Sequence, residues 1–189
     1  QFEEEVDERY IMPENAVEIK ENDIVAAFPE VIKANVLSST LNIPCIIISV
    51  QKNRNGHIKE LHKSICEAVP GIEQVKMILY VEQTVNPFNF GAALWRLCNN
   101  LDPKRDHVLY EAASKNYTGK VFACMGLDGT RKTREFDGFE RDWPNIIVAD
   151  DATIRSVDNK WNQLNIGPFI SSPSLQYKDQ MYGEEAVVE

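Results

Sequence analysis

Two hydrophobic periodicities alternate along the chain. Cys45 to Val50 is an unbroken, β-branched apolar run with the length of a buried strand, and Val75 to Val81 is a second such run. Between them, Gly56 to Ala68 changes to helical spacing. Ile58, Leu61, Ile65 and Ala68 fall on one face, Lys59, Glu60, Lys63 and Glu67 lie off it, and Pro70-Gly71 closes the helix. Ahead of the first strand, Asn22 or Asp23 can cap a short helix with Ile24, Val25 and Phe28 on its apolar side, ended by Pro29 or continuing to Ile32. Pro87 sits at the start of a further helix, where its missing N–H costs nothing, and Phe90, Leu94, Leu97 and Cys98 recur at three and four.

Asp102-Pro103 breaks that helix. Two short strands follow, His107 to Tyr110 and Lys120 to Met125. The last periodic element is Asp151 to Leu164, with Ile154, Val157, Trp161 and Leu164 on one stripe, Asp150 or Asp151 as N-cap, and Gly167-Pro168 as the stop. This order predicts an α/β fold: a layered domain of βαβ units with right-handed crossovers, a partly parallel sheet flanked by helices, and a C-terminal helix. The expected organisation is an acidic linker over 1–22, the α/β domain over 23–167 and a C-terminal extension over 168–189.

Composition narrows the class. With 189 residues, 43% hydrophobic and 26% charged, the chain is neither fibrous nor wholly disordered. Its apolar run from Ile43 to Val50 is far short of the roughly 20 residues that cross a bilayer, and the acidic start is unlike a secretory signal. Ten acids and two bases fall within residues 1–30, so nearly all of the net charge of −9 sits there. Such a leader reads as a solvated linker, with a partner-binding arm as the alternative. No basic stripe is present, which argues against nucleic acid as a partner. The first residue is Gln1, as expected of a processed product or a piece of a longer protein.

The usual catalytic patterns are missing. Gly126-Leu127-Asp128-Gly129 has neither dinucleotide-fingerprint nor Walker spacing, and no GxSxG elbow occurs. Cys45, Cys66, Cys98 and Cys124 form no CxxC pair and no zinc-type spacing with histidine, so they read as buried free thiols of a cytoplasmic protein. His57 and His62 lie about 140° apart on a helix, so they are not an i, i+4 metal pair and read as surface or helix-start residues. Asp150-Asp151 reads as a helix cap. Two segments that follow strands stand out. The loop Met125 to Trp143 carries three glycines, four bases and five acids where open α/β sheets hold ligands, though a solvated, salt-bridged loop would look the same. The turn Gln51 to His57 offers Lys52, Arg54 and the free N–H groups after Gly56 to an anion.

Taken together, four ordered segments resemble the carboxy-terminal part of the UbiD-type decarboxylases, the 3-polyprenyl-4-hydroxybenzoate carboxy-lyases. They are IIISVQKNRNGHIK; VNPFNFGAALWRLCNNLDPKRD, with Leu94-Trp95 and Asp102 to Asp106; MGLDGTRK leading to ERDWP; and DATIRSVDNKWNQLNI. The resemblance implies reversible non-oxidative decarboxylation of aromatic or α,β-unsaturated acids, of the hydroxybenzoate or menaquinone-pathway kind, in quinone biosynthesis. It implies a prenylated flavin mononucleotide and a divalent metal at its phosphate, both held by an amino-terminal flavin-binding domain that also carries the catalytic arginine and glutamates. No segment here matches those motifs, so this chain by itself is expected to be inactive and to bind neither group. The resemblance further implies a lid over the flavin site, with Met125, Leu127, Asp128 and Lys132 walling the substrate side. It implies a homo-oligomer contact through Ile154, Val157 and Trp161, for which packing inside the domain is the competing account. Where the family commonly shows an acidic run after the second strand, this chain keeps only Glu82. Two readings from other classes stay open: a free-standing interaction subunit that uses the acidic leader, and an anion-binding module built on Lys52 and Arg54.

Overall fold

The computed structural model describes residues 17–115, 121–140, 143, 146–181 and 187–188. The expected acidic linker therefore lies mostly outside the described residues, as does Lys120. The contacts divide the chain into two compact units, 1–139 and 140–189, whereas the sequence places a boundary after residue 167.

The first unit is an α/β layer built on a five-stranded sheet, order β1-β2-β3-β5-β4. Its centre is parallel: β2 (Cys45–Val50) pairs with β3 (Met77–Glu82), which pairs with β5 (Val121–Asp128). The edges run the other way, with β1 (Val31–Val36) antiparallel to β2 and β4 (His107–Ala113) antiparallel to β5. All six residues of β2 are buried, as expected of a central strand covered on both faces. Ile46, Ile48, Ile78, Tyr80 and Cys124 face α1 (Glu21–Ala27) and α3 (His57–Ala68). Ile47, Leu79 and Val81 face α4 (Phe90–Asn100), which contributes Ala93 and Leu97.

Several local expectations are corrected. Neither Asn22 nor Asp23 caps α1; the helix begins at Glu21 after Lys20, without a side-chain cap. Past Pro29 the chain turns into β1, and a one-turn α2 (Leu37–Leu41) follows. Helix α4 begins at Phe90 because the Asn89 side chain accepts the N–H of Ala92 at 3.1 Å. Its buried face is Ala93, Arg96, Leu97 and Asn100, leaving Phe90 and Cys98 exposed, since Arg96 is drawn to Glu82 and Asn100 to the carbonyl of Gly129. On α3, Ala68 is exposed while His57 and His62 are both buried, so the covered face is wider than the apolar stripe.

In the second unit, β6 (Val148–Ala149) pairs in parallel with β7 (Val187–Val188). Helix α6 (Asp151–Leu164) is capped by Asp150, whose carboxylate accepts the Thr153 N–H at 2.7 Å. No residue of α6 is buried. Trp161 donates its indole N–H to the Gly167 carbonyl and meets Phe169 edge-on at 5.7 Å. Among the described residues, no helix is long and apolar enough to cross a membrane.

Candidate functional site

The parallel strands β2, β3 and β5 end together, and their carboxyl ends carry the polar residues of the first unit. Open α/β sheets hold ligands at this end. Strand β5 delivers Asp128, the turn before β4 delivers Arg105 and Asp106, the turn after β2 delivers Lys52, and α5 (Arg134–Asp137) delivers Asp137. A cavity of about 300 Å³ opens among Lys52, His57, Arg105, Asp106, Asp128 and Asp137.

Two glycines make this end of β5 possible. A Cβ on Gly126 would stand 2.7 Å from His62 Nδ1 and from Val108 Cγ1, and one on Gly129 would stand 2.7 Å from Leu97 Cα. The segment MGLDGT can thus be gripped by α3 and β4 on one side and by α4 on the other. Gly129 N–H donates to the Tyr80 carbonyl at 2.8 Å, and Asp128 N–H donates to the Asp106 carbonyl at 2.8 Å.

The charges form a closed set. Lys132 is fully buried; its Nζ donates to the Asp128 carbonyl at 2.9 Å and lies 3.1 Å from Asp128 Oδ2 and 3.4 Å from Asp106 Oδ1. Asp106 also accepts from Arg105 Nε at 2.7 Å and from the Asp102 N–H at 2.8 Å. Burial alone would raise the Asp106 carboxyl, but the Arg105 hydrogen bond, the backbone N–H and the charge of Lys132 outweigh it and hold the group below its ordinary value. Lys52 Nζ donates to both Asp137 oxygens, at 2.8 and 2.9 Å. Asp128 Oδ1 accepts the Thr130 N–H at 2.9 Å and the Thr130 hydroxyl. Beneath this layer, Glu82 and Arg96 form a buried ion pair at 2.8 Å. Burial pushes the Glu82 carboxyl up, opposed by Arg96.

The expected site residues are thereby sorted. Asp128 and Lys132 come together with Lys52 around one cavity network, joined by Arg105, Asp106 and Asp137. Met125 and Leu127 alternate to the opposite face of β5, where Leu127 packs against the α4 side of the core and Met125 is 39% exposed. Arg54 points away and pairs with Glu60 at 2.7 Å on the surface. Ile154, Val157 and Trp161 sit in the second unit, lining a shallow cavity with Ile170 and Pro173.

Sequence reading missed the buried polar members. Glu82 was visible as the one acid kept where the family commonly shows a run, and Arg96 as a basic residue on a helix. What paired them was the neighbourhood of β3 and α4, which spacing does not show. His62, expected at the surface or at a helix start, is instead fully buried: its Nδ1 lies 3.0 Å from the Tyr80 hydroxyl and its Nε2 3.1 Å from the Cys124 carbonyl and 3.7 Å from Cys66 Sγ. Hydrogen bonding from Cys124 works against burial and, with help from His62, lowers the Cys66 thiol to about 6; Cys124 is correspondingly raised.

A five-stranded sheet with a parallel centre and antiparallel edges, flanked by helices and carrying a polar network at the strands' carboxyl ends, defines an α/β domain of the open-sheet class. The chain belongs to the 3-octaprenyl-4-hydroxybenzoate carboxy-lyase C-terminal domain family (UbiD_C), whose model matches residues 14–120. It is 27% identical over 142 residues to an uncharacterized protein of Archaeoglobus fulgidus, covering 72% of this chain and 29% of that one. Among solved structures, it resembles vanillic acid decarboxylase of Sedimentibacter hydroxybenzoicus in the closed form (TM-score 0.56, 18% identity, 78% of this chain, 31% of that chain). The open form of that enzyme gives a TM-score of 0.52 at 18% identity, over 76% of this chain and 31% of that one. At this identity the likeness shows the fold, and the chain spans less than a third of the length of these relatives.

The cavity's own groups do not suit the cofactor and metal that the family resemblance implies. A flavin phosphate needs several cations not already neutralised, whereas Lys52 and Arg105 at the cavity and Lys132 beside it face carboxylates, which leaves Lys59 alone among the lining lysines and arginines outside those pairs. A divalent ion needs several carboxylates converging on one point. Among the described residues, those at the cavity form no such cluster.

Proposed function

We propose that this chain serves as the C-terminal domain of a UbiD-type non-oxidative decarboxylase acting on aromatic acids. Its carboxyl-end network would close over a flavin site held by an amino-terminal domain of the same chain. The observation that carries this reading is the ion-paired end of β5, where Asp128 is fixed by Lys132 and Thr130 on the strand that directly follows the stretch matched by the family model, residues 14–120. Because Lys132 pairs with Asp106 and Asp128, and Lys52 with Asp137, the surface is pre-set and needs no proton or counter-ion to be rearranged when it closes. Its role would be to exclude water from a substrate carboxylate and so raise the energy of the charged acid relative to the CO2-releasing transition state. The prenylated flavin would supply the electron sink when bound by the amino-terminal domain, together with its divalent metal. Helix α6 would give the homo-oligomer contact through Ile154, Val157 and Trp161, and the setting is cytoplasmic.

The test is release of CO2 from hydroxybenzoate-type acids by the 189-residue chain alone, and by a full-length protein that adds the flavin-binding domain. Turnover only in the second supports the reading, and turnover by the 189 residues alone removes it. The anion-module alternative is disfavoured by the pairing of Lys52 with Asp137 and of Arg54 with Glu60.

A further inference from the structure

We propose that His62, Cys66 and Cys124 form a closed, thiolate-rich site for a zinc ion, separate from the cavity and from the divalent metal of the flavin reaction. All three side chains are buried, and their donor atoms lie within 4.8 Å of one another. His62 and Cys66 are one turn apart on α3, so they share a face, and Cys124 is presented by β5 beneath them. With Zn–S near 2.3 Å and Zn–N near 2.0–2.1 Å, donor atoms of a tetrahedral site lie roughly 3.5–3.8 Å apart. Cys66 Sγ and His62 Nε2 stand at 3.7 Å. The Cys124 carbonyl, 3.1 Å from Nε2, is a fourth donor within reach.

The surroundings are those of a ligating histidine. Tyr80 Oη lies 3.0 Å from Nδ1, and the two rings meet edge-on at 84°. Ligation requires the Nδ1–H tautomer, in which Tyr80 accepts that proton and the Nε2 lone pair turns to the metal beside Cys66 Sγ, the outer-sphere arrangement that orients metal-bound imidazoles; without the ion, the Nε2–H tautomer would donate to the Cys124 carbonyl instead. Gly126 keeps the strand clear of the ring, since any Cβ there would stand 2.7 Å from Nδ1. A disulfide between Cys66 and Cys124 would need neither the histidine nor its tyrosine.

Charge selects the ion. Binding converts two thiols to thiolates, each losing its proton to solvent, so a divalent ion leaves the buried cluster neutral. Monovalent copper would leave a net negative charge in the core. Calcium and magnesium call for oxygen donors.

The test uses the 189-residue chain, purified reduced and without added chelator, and reads metal content by mass spectrometry and cobalt(II) substitution by absorbance. Expected are about one zinc per chain and a thiolate-to-cobalt charge-transfer band. Both are expected to disappear in Cys66→Ser and in Cys124→Ser and to persist in Cys98→Ser, which alters an exposed thiol. The unaltered chain decides the matter without reliance on any variant folding. No band and no retained zinc in folded protein would overturn the proposal, as would a mass lower by two hydrogens that locates a Cys66–Cys124 disulfide in protein kept anaerobic. Retention of the band in Cys66→Ser or Cys124→Ser would equally remove this assignment.

Discussion

Helices α3 and α6 carry the same kind of apolar stripe, yet the first buries six residues and the second none. In the first unit, a sheet lies under α3 and covers even its two histidines. In the second unit, Ile154 is only partly covered and Val157 remains 43% exposed. Periodicity thus reports that a helix has an apolar side and is silent about what covers it. The stripe on α3 is structural, and that on α6 is available for the contact proposed above.

The sharpest way to break this contrast is inside the first unit. Replacing Lys132 with alanine leaves the buried Asp106 and the half-buried Asp128 beside a cavity without their shared cation, and is expected to cost about 3–5 kcal/mol, read as a fall in the urea midpoint. A loss within 0.5 kcal/mol would mean that the network is not set as described. Ile65→Ala on the covered face of α3 should cost about 2–5 kcal/mol by transfer and cavity terms. Gly126→Ala forces a Cβ against the His62 ring and Val108, and about 1–3 kcal/mol is expected, accompanied by a shift in the Tyr80 environment seen by near-ultraviolet circular dichroism.

On α6 the same kind of truncation should be mild. Val157→Ala is expected to change unfolding by about 0.5 kcal/mol or less, and a loss comparable to that of Ile65→Ala would show that the stripe is packed after all. The smallest effects are those of pH. Asp106 is held below its ordinary value of 3.8, so its contribution is present above that pH and fades as the pH falls through the lower native value. Glu82 has the opposite sign: its native value is raised above 4.5, so stability is gained as the pH falls through that raised value and the buried carboxylate takes a proton. Urea midpoints between about pH 7 and pH 3 should therefore show a shallow rise before the acid decline, and Glu82→Gln should abolish the rise.

How much of this was legible can be followed residue by residue. Strands β2 and β3 could be read because a strand covered on both faces is apolar throughout, and α6 because its cap and stripe are both local. Strand β1 was not legible. Its burial runs buried, exposed, exposed, then three buried, with a register irregularity between Val31 and Lys33, so it shows neither alternation nor a continuous run. At the site, Asp128 and Lys132 were within reach because the family resemblance falls on the one segment, MGLDGTRK, that carries both. Arg105, Asp106 and Asp137 reach the same cavity from other turns, and only the strand order places them there.

The sequence by itself determined the alternation of strands and helices, the polar segments that follow β2 and β5, and the family to which the segments belong. The first two are properties of neighbours, set by side-chain period, turn residues and capping, while the third rests on the resemblance of four ordered segments. Tertiary structure alone decided which charges neutralise one another and that His62 meets Cys124, 62 residues further along the chain. The physical reason is that ion pairing and ligation act over a few ångströms in space, and the parallel pairing of β3 with β5 brings together residues that no local spacing relates.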